Sequence, residues 1–220
     1  MLLFLVRHAE STDNYRRLYS GSGRDVDLTV HGAQQAQALG ARLKKDRTPA
    51  SRIIVSTMKR TRATAAPIVD AWPDAEVVYS DLIVERHFGG AEGRSVFGLD
   101  RELLQDAETS SALTRRVEEF YQTMLLPLLV EDAGDVVVVS HGATTAQLLA
   151  VIFADLHARV AAPPMLANSS YHVLDIDGTN RKLRGAEFNV ESHLSGVSTA
   201  RAAGGVSNAN QSRLDSFFKK

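Results

Sequence analysis

Residues 2–8 read Leu2-Leu3-Phe4-Leu5-Val6-Arg7-His8: five apolar residues in a row, closed by a cation and an imidazole. A short apolar run without alternation is the pattern of a strand buried on both faces, the habit of parallel sheets covered by helices. It recurs at Arg52-Ile53-Ile54-Val55 and at Val136-Val137-Val138-Val139, ending in Ser56 and in Ser140-His141-Gly142. Helical patterns lie between. Thr29 can cap a helix whose apolar positions Ala33, Ala36, Leu39 and Leu43 recur at three and four. Arg60 to Ala71 carries a second, stopped by Trp72-Pro73. Thr109 to Val130 reads as a long helix with Leu113, Val117, Phe120, Met124 and Leu128 on one side, which Pro127 must kink or end. A fourth, Ala143 to Asp155, follows the Val136 strand directly. Tyr171-His172-Val173-Leu174 and Leu183 to Phe188 read as late strands joined through Asp177-Gly178-Thr179-Asn180. The alternation predicts an α/β fold: a three-layer α/β/α sandwich with a mostly parallel central sheet.

The 220 residues carry 25 Lys plus Arg against 26 Asp plus Glu, and no Cys. Zero cysteines exclude thiol nucleophiles, Cys-ligated zinc, iron–sulfur clusters and a disulfide scaffold. A formal charge of −1 is too small for the broad basic field of nonspecific nucleic-acid binding, so no direct nucleic-acid contact is expected. The Leu2–Val6 run is too short for a signal peptide, and no apolar stretch approaches the ~20 residues that span a bilayer. The expectation is an intracellular protein, cytoplasmic or nuclear, with no membrane partner.

From about Ser192 the composition turns to Ser, Ala, Gly and Asn. That divides the chain into a domain at 1–190 and a tail at 191–220. Within the tail, Gln211-Ser212-Arg213-Leu214-Asp215-Ser216-Phe217-Phe218 fits the Gln-x-x-aliphatic-x-x-aromatic-aromatic box by which short peptides plug into DNA sliding clamps. Leu214, Phe217 and Phe218 would share one face of a helical turn. Such a face docks on a clamp, on this domain's own surface or on a second copy.

In sheets of this kind the ligand crevice lies beyond the carboxyl ends of the parallel strands. Arg7-His8, Ser56 to Arg60 and Ser140-His141-Gly142 all sit at such ends. If the strands are neighbours, two histidines and two arginines converge. Neutral imidazole can attack phosphorus, and the equatorial oxygens of a transferring phosphoryl group need fixed positive charge. His31-Gly32 falls in the first turn of a helix and is assigned a structural role. So are His87, His157, His172 and His193, with His87 the strongest exception because it neighbours Glu85. Arg16, Arg17 and Arg24 form a basic cluster, either a solvated loop or a guide for an anionic substrate.

Taken in order, Arg7-His8-Ala9-Glu10 with Asn14, Leu28-Thr29 with Gly32 and Gln35-Ala36, Ser56-x-x-x-Arg60 with Thr64-Ala65, Glu85-x-x-Phe88-Gly89 with Glu92-Gly93, and Ser140-His141-Gly142 closely resemble the histidine phosphatase superfamily. This is the phosphoglycerate mutase-like group named for its Arg-His-Gly motif, and the tail is similar to that of some fungal members. The match runs from residue 2 to about 175. The resemblance implies a phosphoglycerate mutase-like fold and a metal-independent phosphatase that hydrolyses a phosphomonoester through a phosphohistidine on His8. It implies that Arg7, Arg60 and a cationic His141 hold the phosphoryl oxygens and that Glu85 protonates the leaving oxygen. It places Asn14 on the phosphate and lines the entrance with Ser20, Gly21 and Thr57. The partner so implied is a small anionic phosphorylated substrate, with no cofactor and no metal. Two departures stand out: Ala9 replaces the usual glycine after the nucleophile, and Ala91 replaces a frequent Trp, implying a wider or reshaped pocket wall. One alternative is a mutase, though the segment from Gly93 to Ala112 offers only Arg94 and Arg101 for a phosphorylated sugar acid. The other is a binding or assembly subunit acting through its C-terminal tail.

Overall fold

The computed structural model describes residues 1–46, 49–98, 100–161 and 163–197. Six strands form one sheet in the order β3-β2-β4-β1-β5-β6: β1 (Leu2–Arg7), β2 (Arg52–Ser56), β3 (Glu76–Ser80), β4 (Val136–Ser140), β5 (Tyr171–Asp177) and β6 (Lys182–Val190). β3, β2, β4 and β1 pair in parallel, while β5 and β6 add an antiparallel hairpin beside β1. The sheet is therefore mixed, and β1, β2 and β4 of its parallel part are the strands the apolar runs foretell.

Alternation along the strands splits the core in two. Phe4, Val6, Ile53, Val55, Val137 and Val139 face α2 (Val30–Asp46) and α3 (Lys59–Ala71), packing with Leu39, Leu43, Ala65 and Ile68. Leu3, Leu5, Ile54, Val136 and Val138 face α4 (Ser110–Phe120), α5 (Leu126–Val130) and α6 (Gly142–Asp155), packing with Val117, Phe120, Leu128 and Leu149. Both faces of the parallel strands are thus covered. A short helix, α1 (Thr12–Arg16), follows β1 and is closed by a capping box between Ser11 and Asn14.

Thr29 caps α2 as expected, its hydroxyl accepting from the Gly32 amide at 2.9 Å. The buried face is shifted, however. Ala33 is exposed, and Gly32, Gln35, Ala36, Leu39, Gly40 and Leu43 point inward. Gly32 has no room for a side chain, because a Cβ there would lie 2.0 Å from the Glu10 carbonyl oxygen. The long helix expected over Thr109–Val130 is interrupted. Tyr121–Leu125 widens into a π-helical turn between α4 and α5, and Pro127 falls in the first turn of α5, where its missing N–H costs least. β3 has no counterpart in the sequence reading. Beyond β6, Ser192–Leu194 forms a short turn held by Arg42 Nη1 on Ser192 Oγ at 2.7 Å and His193 Nε2 on the Ser169 carbonyl at 2.9 Å. Gln211, Leu214, Phe217 and Phe218 lie outside the described residues. Among the described residues no helix is long and apolar enough to cross a membrane.

Candidate active site

The register of the sheet brings the strand ends together. Arg7 of β1 stands opposite Ser140 of β4, and Val55 of β2 opposite Val139. His8, His141 and the start of α3 therefore open at one edge. His8 and His141 lie edge to face with ring centroids 5.2 Å apart, and Gly142 brings the first turn of α6 close to the Arg7 guanidinium.

His8 is 3% exposed, and its Nδ1 lies 2.8 Å from the Ala9 carbonyl oxygen. A carbonyl only accepts, so Nδ1 carries the proton and Nε2 keeps its lone pair. Burial first, then the charges of Arg60 and Arg7, push His8 well below its ordinary pKa. The ring is neutral. Its loop is anchored in three places: the Ala9 amide donates to Thr64 Oγ1 at 2.9 Å, the Glu10 amide to Gln35 Oε1 at 2.9 Å, and Asn168 Nδ2 to the His8 carbonyl at 3.1 Å. Thr64 in turn donates to the Arg60 carbonyl, tying the nucleophile loop to α3. These contacts give Gln35 and Thr64 of the ordered motifs a structural part in holding the His8 loop. Ala9 is fully buried, its methyl accommodated within this scaffold.

Arg7 and Arg60 are almost wholly buried and, among the described residues, donate only to carbonyls. Arg7 Nη1 reaches Leu166 O at 2.7 Å. Arg60 reaches Arg24 O at 2.9 Å, Ser20 O at 3.3 Å and Gly21 O at 3.4 Å. The Nε of each is buried with no hydrogen-bond partner. Burial lowers Arg7 to about 10, opposed by Glu85 and reinforced by Arg60, so both guanidiniums remain cations at neutral pH. Ser20 and Gly21 thus meet the cluster through their carbonyls.

Glu85 is held at the N-terminus of α6. Its oxygens accept from Ala143 N and Thr144 N at 3.3 Å, Thr144 Oγ1 at 3.2 Å and Arg86 N at 2.9 Å. Arg116 of α4 fixes the approach to Glu85, donating to the Leu82 and Val84 carbonyls while its guanidinium grips Glu108. His141, the residue before α6, bonds Ser56 Oγ through Nε2 at 2.9 Å and leaves Nδ1 buried and unpartnered. Burial, then Arg60, His8, Arg7 and Arg116, push His141 well below its ordinary pKa, so the ring is neutral.

Asn14 joins the cluster through Asn168. Its Oδ1 accepts from Ser11 and from Asn168 Nδ2 at 3.1 Å, which leaves its amide hydrogens for a ligand. Thr57 is not drawn in, since its hydroxyl is taken by Asp81 at the ends of β2 and β3. The basic cluster is dispersed. Arg24 makes a two-pronged pair with buried Asp13 at 2.7 and 2.9 Å, Arg17 lies over the Phe97 ring, and Arg16 is exposed at the end of α1. Burial works to raise the Asp13 carboxyl, but Arg24 outweighs it and holds it below its ordinary value. Ala91 is buried against Tyr19 and Phe88, so the missing Trp is replaced by a small core rather than an opening. His87 borders this region, its Nε2 3.8 Å from Glu92, while Glu92 also accepts from the Phe88 and Gly23 amides. Ser56 is the residue whose part the sequence reading missed: it stood in the motif, but only the sheet register puts it on His141.

Among the described residues no group of His, Asp and Glu has the arrangement of a metal site. The arrangement gathers two buried guanidiniums and two buried imidazoles, and His8 Nε2 and His141 Nδ1 are left without a hydrogen bond among the described residues.

A family model for the histidine phosphatase superfamily (branch 1) matches residues 3–188. A probable phosphatase of Schizosaccharomyces pombe is 35% identical over 147 residues, 64% of this chain and 68% of that protein. A second from the same yeast is 30% identical over 230 aligned residues, 98% of this chain and 79% of its own. The solved structure of YhfR from Bacillus stearothermophilus superposes with a TM-score of 0.68 at 25% identity, covering 88% of this chain and 98% of that one.

Proposed function

The chain belongs to the histidine phosphatase superfamily and is a phosphatase, and from that premise we propose that it hydrolyses a small phosphomonoester in two steps through a phosphohistidine on His8. The observation that carries this reading is the His8–Ala9 hydrogen bond, which leaves Nε2 as the attacking atom in a neutral ring. In the first step Nε2 forms a bond to phosphorus as the ester oxygen leaves, and Glu85 gives that oxygen its proton. In the second, water attacks the phosphohistidine, Glu85 takes a proton from it, and inorganic phosphate departs. Arg7, Arg60, Asn14 and His141 hold the phosphoryl oxygens throughout. Ser20 and Gly21 shape the entrance by fixing Arg60. No step calls on a metal or cofactor.

Hydrolysis is favoured over transfer to a second hydroxyl because the Gly93–Ala112 segment supplies little fixed charge for a phosphorylated acceptor, Arg94 being exposed. The test is turnover of p-nitrophenyl phosphate by the full chain, with chelator present and with 3-phosphoglycerate as competing acceptor. Stoichiometric phosphate release, unchanged by chelator and acceptor, supports the proposal. Phosphoryl transfer to the acceptor overturns it in favour of a mutase. The clamp-binding reading of the tail is separate. Loss of clamp association in a Phe217→Ala, Phe218→Ala double variant supports it; equal or absent association of both chains ends it.

A further inference from the structure

We propose that Ser56 is a positioning residue whose hydroxyl, seated on Nε2 of His141, reserves the Nδ1–H for the phosphoryl oxygens and lets His141 take up a proton as a phosphate dianion enters. The inference rests on the phosphatase reading and adds to it a residue and a proton.

Ser56 ends β2 and His141 follows β4, and both are fully buried. Their 2.9 Å contact occupies one ring nitrogen. The other, Nδ1, is buried with no hydrogen-bond partner, and buried polar atoms left open at a binding site are the ones a ligand completes. A neutral imidazole has a single N–H. Were it on Nε2, donating to Ser56, Nδ1 would turn a lone pair toward the anion. With the Ser56 hydroxyl donating to Nε2, the proton stands on Nδ1 and faces the anion.

The hydroxyl can also reverse. The charged and titratable groups acting on His141 are Arg60 from α3, His8 just past β1, Arg7 at its end and Arg116 from α4, while Glu85 accepts from the Ala143 amide at the start of α6. The cations among them, with burial, keep the ring neutral in the unliganded protein. A phosphate dianion supplies the opposite charge and favours the imidazolium. The proton comes from solvent, Nε2 then becomes a donor, and the serine oxygen rotates to accept it. An alanine can play neither part, whereas a threonine can play both.

The test uses the full chain with 15N-labelled histidine, His141 being assigned by its loss in His141→Gln, and inorganic phosphate as the probe. In the wild type the free ring is expected as the Nδ1–H tautomer, with its titration midpoint moving up on phosphate binding. Ser56→Thr keeps both features. Ser56→Ala is expected to mix the tautomers and to move the basic limb of the kcat–pH profile down by about one unit, a loss of roughly tenfold at the alkaline end and little at the acid end. A loss of the same size at every pH with the tautomer unchanged, or Ser56→Thr behaving as Ser56→Ala, overturns the proposal. The phosphate titration needs no turnover. A chain that binds phosphate with these signatures but hydrolyses no ester would sink the hydrolase reading and leave the Ser56 assignment standing.

Discussion

Arg7 and Arg60, at the carboxyl end of β1 and the start of α3, are 4% and 0% exposed and, among the described residues, donate to backbone carbonyls alone. Arg184 on β6 lies in the open, two of its nitrogens on Asp175 at 2.7 and 3.0 Å, and Arg52 of β2 pairs with Glu76 of β3 at the sheet's other end. The exposed pairs are solvated charges that meet at little cost and return little stability. The buried guanidiniums have lost their water, and the groups that would balance them at short range are carbonyl dipoles. Cationic charge fixed in a low-dielectric cleft acts most strongly on an arriving anion. The buried guanidiniums at the strand ends thus suit an arriving anion, as the proposed phosphatase site requires, whereas the exposed pairs stay in solvent.

The contrast can be broken in several ways. Glu85→Gln removes the proton donor while keeping the amide contacts of α6 in place. It should lower kcat by about 10²-fold or more on an alkyl phosphate with a poor leaving group, and distinctly less on p-nitrophenyl phosphate, whose leaving oxygen needs no proton. Equal losses on both would deny Glu85 that role. Arg7→Met should cost about 10²-fold in kcat/KM and leave stability the same or higher, since the buried charge goes and an apolar side chain of similar volume remains. A large fall in melting temperature would show instead that the guanidinium is structural.

Acid should weaken the fold through its buried imidazoles. Burial lowers His172 to about 4 from 6.5, its Nδ1 accepting from the Asn189 amide. The unfolded chain therefore binds a proton near pH 6.5 that the native chain refuses. The stabilising preference is full above that pH and is lost as pH falls toward 4, by about 3 kcal/mol for this one group. His8 and His141 shift in the same direction. Urea melts across this range should show the loss, and His172→Gln should flatten part of it; a stability profile flat from pH 7 to 4 would contradict the neutral imidazoles. Smallest of all, Arg184→Ala should change stability by no more than about 0.5 kcal/mol and activity not at all. A larger effect would erase the distinction between the buried and the exposed guanidiniums.

The parallel strands were legible because β1, β2 and β4 are buried on both faces and leave unbroken apolar runs. β3 was not, since Glu76 and Tyr79 are exposed on an edge strand and the remaining apolar residues are too few to stand out. Pro127 announced a break in the long helix, but whether a kink, an end or a π turn resolves it depends on packing against α6 and the sheet. At the site, His8, Arg7, Arg60, Glu85 and His141 were readable from ordered motifs. The pairing of Asp13 with Arg24, the burial of Ala91 and the contact of Ser56 with His141 were not, because each joins residues that only the folded chain makes neighbours. Charge state was equally hidden: the sequence shows a histidine, while its protonation is set by burial and by arginines from other elements.

The step on which the proposed hydrolysis rests is the bonding of His8 Nε2 to phosphorus during turnover. Rapid acid-free quenching of the full chain with 32P-labelled substrate, followed by peptide mapping, tests it directly. The expected result is acid-labile, alkali-stable label on His8, chased by water and absent from His8→Asn, which should not turn over. Label on another residue, or full turnover by His8→Asn, would contradict it.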